Sequence, residues 1–165
     1  MRYRTLLIVL LMLVVAVPVW AQGGEGSIPT AARLEGLRHE YQGWNNCGPA
    51  TLATALSYFG WSGDQALTAA WLKPDPEDKN VTTAPLADYV NAFTEVRALV
   101  RHGGSLSLLK QLVAAEFPVI IAAGYEPEGF DWMGHYLLVS GYDDDTGMLL
   151  TQDSLIILIN SCSLR

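Results

Sequence analysis

The sequence predicts an α+β domain, in which a helical first half packs against an antiparallel sheet built by the second half. Three observations carry that expectation. Apolar residues recur at helical spacing behind helix-starting residues, most clearly in Leu52, Ala55, Leu56 and Phe59 after Asn45 and Asn46. Short apolar runs rich in β-branched residues follow at 118–123 and 135–142. The segment Asp143-Asp144-Asp145-Thr146-Gly147 then turns the chain into a further run at 148–152. A chain of 165 residues, half of them apolar, supports one compact core and excludes a disordered polar chain.

Taken in order, the chain begins with Arg2 and Arg4, a continuous apolar run over 6–17, Pro18, and Val19-Trp20-Ala21 before Gln22. This reads as a signal peptide over 1–21, because the run is shorter than the roughly 20 residues that span a bilayer. It implies a secreted or extracytoplasmic protein that meets the membrane only in passing during export. Residues 22–29 read as a linker and 30–165 as the domain. Removing 1–21 takes away two Arg and no acid, leaving 8 basic against 17 acidic residues and a net charge of −9. That balance argues against nucleic acid as a partner, since phosphate binding needs clustered Lys and Arg.

Thr30 is placed to cap a short helix running to His39. The next helix has Asn45 or Asn46 as its cap, Pro49 in its first turn and Gly60 as its stop. Asp64 starts another through Leu72, and 73–81 is a polar loop with Pro74 and Pro76. Thr83 and Pro85 open a helix that turns Leu86, Tyr89 and Val90 inward. Residues 95–100 alternate like a strand, Gly103-Gly104 turns the chain, and Ser105 caps a helix with Leu106, Leu109 and Leu112 on one face. One last apolar strand is expected at 154–160.

The chemistry starts at Gln42-Gly43-Trp44-Asn45-Asn46-Cys47-Gly48-Pro49-Ala50. A thiol in the first turn of a helix meets unpaired N–H groups and the positive end of the macrodipole, which favour thiolate. With a cationic His nearby, such thiols commonly reach pKa values of about 3.5 to 7.5. Gly48 leaves room for a carbonyl to approach, and the backbone N–H groups with the Gln42 amide are suited to hold an oxyanion, each donor being worth about 2.7 to 4 kcal/mol. In an exported chain the only other cysteine, Cys162, either pairs with Cys47 or leaves it as a working thiol.

Three histidines are available as the base. His39 and His102 stand at element ends and read as solvated residues, whereas His135 opens an apolar strand after Gly134. If Tyr142 faces Met148 across the acidic turn, Leu137 faces Asp153 and His135 becomes its diagonal neighbour on the same face. A slip of two residues keeps the pair together, and a slip of one sends Asp153 to the other face.

Together, Gln42, Asn46-Cys47-Gly48-Pro49-Ala50, Gly134-His135-Tyr136, Val139, Gly141-Tyr142-Asp143 and Gln152-Asp153-Ser154 resemble the papain-like cysteine peptidases of family thirty-nine, which include the leader-cleaving domains of bacteriocin exporters and secreted bacterial relatives. The polar loop at 76–81 also resembles secreted members. The resemblance covers about 38–154. It implies a papain-like fold, with Cys47 as nucleophile, His135 as general base and acid, Asp153 as the orienting group and Gln42 as an oxyanion donor, acting on a peptide or protein substrate without cofactor or metal. Gln42 stands five residues before Cys47, where papain-like enzymes have six, and the chain ends twelve residues after Asp153 in a segment unlike the family's usual ending.

Other sites are weaker in the sequence. The Asp143 to Asp145 cluster misses calcium-loop spacing, and two Cys with three scattered His show no paired zinc spacing. Among the tryptophans, Trp44 is the best placed to line a peptide cleft, with packing the default for Trp61, Trp71 and Trp132. The resulting expectation is an exported thiol peptidase. Its alternatives are an inactive papain-like module that binds a peptide or cell-wall component, and a thiol acyltransferase.

Overall fold

The computed structural model describes residues 27–75, 81–125, 128–129, 131–155 and 160–163. The expected signal peptide, most of the linker and 76–80 of the polar loop lie outside them. The elements run β1 (Ala31–Arg33), α1 (Cys47–Ser57), α2 (Gln65–Leu72), α3 (Thr83–Phe93), α4 (Leu106–Ala114), β2 (Val119–Tyr125), β3 (Met133–Asp143), β4 (Met148–Gln152) and β5 (Asn160–Ser163).

The helices start where their residue chemistry dictates. The Asp64 carboxylate accepts from Ala66 N–H and Leu67 N–H at 3.0 and 3.2 Å, and Ser105 Oγ accepts from Leu108 N–H at 3.1 Å. On α3 the buried residues are Leu86, Tyr89 and Val90, as their spacing predicts. Helix α1 is buried on nearly every side from Gly48 to Leu56, so it forms the centre of the helical half rather than a half-wetted surface helix. On α4 the deepest residue is Val113, with Leu109 half-buried, while Leu106 of the expected inward stripe is 41% exposed.

Strand β3 organises the sheet. All of its pairings are antiparallel: β4 joins one edge from Leu138 to Asp143, and β2 pairs with Met133 to Val139 on the other. The short β1 pairs with Gly141 to Asp143, on the same edge as β2, and β5 closes the far side against β4. Neighbouring residues of β2 enter different cores. Ile120 packs with Leu52, Leu56, Leu86 and Tyr136 beneath α1 and α3, whereas Ile121 packs with Leu34, Val113, Val139 and Tyr142 beneath α4. The period-2 alternation thus buries both faces of the sheet.

Several expectations are corrected. Instead of a helix over 30–39, the chain forms β1, because β3 offers its backbone partners: Leu34 N–H donates to Ser140 O at 2.7 Å, and Asp144 N–H donates to Thr30 O at 2.8 Å. Leu34 and Leu37 both pack toward α4 from an irregular path turned by Gly36 at φ +80°. Residues 95–100 do alternate, with Val96 and Ala98 against the core, but they join no ladder. The Asn91 side chain substitutes for a partner strand, donating to Ala98 O and accepting from Ala98 N–H, both at 3.0 Å. At the chain's end the strand lies at Asn160–Ser163; residues 156–159 of the expected 154–160 strand fall outside the described residues, and 154–155 form a turn.

Candidate active site

Cys47 is the first residue of α1, at the edge of β3 that β4 leaves open. β4 pairs with β3 only as far as Leu138, and beyond that point the start of α1 moves in. Thr51 Oγ1 donates to Tyr136 O at 3.3 Å, and the Cys47 sulfur accepts from the Tyr136 backbone. A helix N-terminus therefore satisfies strand groups that a neighbouring strand would otherwise take. At Gly48 a Cβ would meet the Tyr136 ring and Val81 at 3.4 to 3.5 Å, an ordinary contact, so this packing does not itself require a glycine.

His135 lies next to Tyr136 on β3 and is only 7% exposed. Its Nε2 stands 2.8 Å from Asp153 Oδ1, and its ring also hydrogen-bonds the Cys47 thiol. A carboxylate only accepts, so Nε2 carries a proton and the other ring nitrogen faces the sulfur. Asp153 Oδ1 also accepts from Leu155 N–H at 2.9 Å.

The geometry that brings Asp153 to His135 is a register correction. At the acidic turn the pairing is Asp143 with Met148 and Tyr142 with Leu149, one residue away from the expected pairing of Tyr142 with Met148. Continued unbroken, that register would send Asp153 to the opposite face. A bulge at Ser140 restores the expected register, pairing Val139 with Thr151 and Leu138 with Gln152. The ladder ends at that pair, and Asp153, the next residue along the chain, meets His135 through its side chain. Gly141, just past the bulge, lets β1 and Leu150 close on β3, because a Cβ there would stand 2.8 Å from Ala32 O and 2.9 Å from Leu150 Cδ1.

The electrostatics favour a thiolate–imidazolium pair. Burial pushes the Cys47 thiol up, but the His135 hydrogen bond and charge, with the Tyr136 and Gly48 backbone groups, outweigh it and leave the thiol below its ordinary range. Burial lowers His135, yet Asp153 and Cys47 overcome that and push it up to about 9. For Asp153, burial is again opposed, by His135, the Leu155 backbone and the more distant His39 charge, and the carboxyl falls below its usual range.

Gln42 reaches this cluster through the residue after Asp153. Its N–H donates to Ser154 O at 2.9 Å, and its Oε1 accepts from Ser154 Oγ at 2.8 Å, which turns its Nε2 the other way. Contacts thus run in one series from Cys47 through His135 to Asp153, and from the adjacent Ser154 to Gln42. Cys47 carries a free thiol, so the alternative of a bond to Cys162 does not apply in this structure.

Sequence reasoning missed other members of the site. His39, expected in solvent, is half-buried with Nδ1 2.8 Å from Gln152 Oε1, while His102 is exposed as expected. Gln65, on α2, binds the loop ahead of Cys47, and Asn46 caps α1 without using its side chain, which donates to Gln65 Oε1 at 2.7 Å instead. No local pattern marks these residues, since their partners lie far away along the chain. Trp44 is 86% exposed and Trp132 64% exposed, whereas Trp61 packs on the helical core. Among the described residues no group of three or more His, Cys, Asp or Glu is arranged to hold a metal ion.

Comparison with known proteins bears on the whole arrangement. The model of the Peptidase_C39 like family matches residues 26–157. The chain belongs to the Peptidase_C39-like family. A crystal structure described as a C39-like peptidase from Bacillus anthracis superimposes with a TM-score of 0.58 at 17% identity, covering 79% of this chain and 86% of that one. At that identity the likeness establishes a shared fold, and the helix-plus-antiparallel-sheet architecture is accordingly papain-like. No curated protein matches the chain. The family match contains all five of these residues, from Gln42 to Ser154.

Proposed function

We propose that this member of the Peptidase_C39-like family is an exported cysteine peptidase that uses Cys47, His135 and Asp153 as its triad. The observation that carries the reading is a free, half-buried thiol at a helix N-terminus and a carboxylate bound to the two sides of one buried imidazole. The Cys47 sulfur attacks the scissile carbonyl carbon, and the oxyanion is held by the Cys47 backbone N–H and Gln42 Nε2. As the C–N bond breaks, His135 gives its proton to the departing amine and an acyl-enzyme forms. His135 then takes a proton from water, which attacks the thioester and releases the acid and the thiolate. Asp153 keeps the ring oriented throughout. Export rests on the basic, apolar and small-residue segments of 1–21.

The test is Cys47→Ala, assayed on an internally quenched peptide library and with a peptidyl epoxide that alkylates thiolates. Loss of both cleavage and labelling, with an unchanged melting temperature, is the expected result. Cleavage that survives the substitution overturns the assignment, and acyl transfer to an added amine in preference to water would make the enzyme an acyltransferase.

A further inference from the structure

The loop that leads into the nucleophile is not held by its own residues. Asn45 adopts φ 53°, a left-handed conformation, and no residue of 41–46 is buried, with Tyr41 at 51% and Trp44 at 86% exposed. A segment so open has little apolar burial to fix it. Its restraints come from α2. Gln65 Oε1 accepts from Gly43 N–H and from Asn46 Nδ2, both at 2.7 Å, while Gln65 Nε2 donates to Tyr41 O at 2.6 Å. The backbone N–H of Gln65 donates to Glu40 Oε1 at 2.7 Å. One primary amide thus closes the chain at Tyr41, Gly43 and Asn46, with Gln42 inside the clasp and Cys47 immediately beyond it. Lys73 adds a further tie from the end of the same helix, donating to Asn45 O at 3.0 Å.

We propose that Gln65 is a positioning residue for the oxyanion site, fixing the separation and orientation between the Gln42 amide and the Cys47 N–H; this rests on the peptidase reading above. Only an amide fits the role. It offers an acceptor to the Gly43 and Asn46 donors and a donor to the Tyr41 carbonyl on one rigid plane. A carboxylate loses the donor, and a thioether loses both functions. Gln65 makes no hydrogen bond to His135 or Asp153 among those described, so its influence falls on where the oxyanion is held rather than on the thiolate–imidazolium pair.

The experiment compares Gln65→Met and Gln65→Glu with the unaltered protein. It reads kcat and KM on the library peptide that the unaltered protein cleaves fastest, the pH profile of Cys47 alkylation by iodoacetamide, and the melting temperature. The Met variant is expected to lose about 10- to 100-fold in kcat, the size of effect that follows from misplacing a reacting geometry, with KM and the alkylation profile little changed. The Glu variant, which keeps the acceptor, is expected to fall between the two. If both variants turn over within about twofold of the unaltered protein, or if kcat falls only in step with a shifted alkylation profile, the assignment is overturned. If Gln65→Met fails to fold, Gln65→Glu decides by the same criteria. An unaltered protein that depends on Cys47 while both Gln65 variants match it sinks this inference alone; cleavage that persists in Cys47→Ala sinks the peptidase reading and this inference with it.

Discussion

The proposed nucleophile's side of the site and the proposed base's side are secured by opposite means. Cys47, itself half-buried, follows a partly exposed loop whose conformation depends on a side-chain amide reaching from α2. His135 lies on the eleven-residue β3, paired through Ala123 to β2 and buried beside Tyr136. The difference follows from what each group does in the proposed reaction. A sulfur that must meet a peptide bond needs an open approach, so its support comes from directional hydrogen bonds rather than burial. An imidazole that must keep its proton while orienting needs a fixed tautomer and a carboxylate shielded from water, and a ladder supplies both.

The largest effects should separate the two sides. His135→Ala should lower hydrolysis by about 10²- to 10⁴-fold, the usual worth of a positioned proton-transfer group, and should slow Cys47 alkylation at neutral pH as the thiol loses its partner cation. An alkylation profile that does not move would break the thiolate–imidazolium pairing. Asp153→Ala should cost on the order of 10²-fold in kcat while leaving Cys47 open to alkylation.

The pH dependence sharpens the same comparison. Activity should rise with pH as the Cys47 thiol, held below its ordinary value, gives up its proton. It should fall again as His135 loses its proton near 9. Removing the Asp153 carboxylate removes a cause of the raised His135 value, so the alkaline limb of kcat/KM should move to lower pH; a limb that stays in place would refute the orienting role.

Smaller effects test the scaffold beneath the base. Gly141→Ala puts a methyl group against the Ala32 carbonyl and Leu150 at the bulge, and should destabilise the protein by about 1–3 kcal/mol in urea denaturation. Leu150 can swing aside, but the Ala32 backbone oxygen cannot, so a neutral result would mean that β1 yields. Asn91→Ala removes both bonds to Ala98 and should cost about 1 kcal/mol by the same measurement, without changing kcat.

Local chemistry made much of this legible. The starts of α2 and α4 depend on Asp64 and Ser105, the buried face of α3 on the spacing of Leu86, Tyr89 and Val90, and the β3–β4 hairpin on the acidic turn, all within a few residues of one another. Reading failed where partners came from elsewhere. Residues 31–33 pair with β3 instead of coiling, and 95–100 alternate without a ladder because Asn91 takes the place of a strand. His39 looked like a solvated element end, and only the approach of Gln152 draws it inward.

The residue types of the site, their spacing around Cys47 and the alternation that turns His135 and Asp153 toward one another were determined by the sequence, since each depends on neighbours close along the chain or on the period of a strand. The tertiary structure alone decided that a bulge at Ser140 would return the hairpin to the register those two residues need, and that Gln65 would hold the loop before the thiol. A one-residue offset reverses a strand's faces, and a side-chain amide binds whatever backbone folding brings within about 3 Å; neither is written in local pattern.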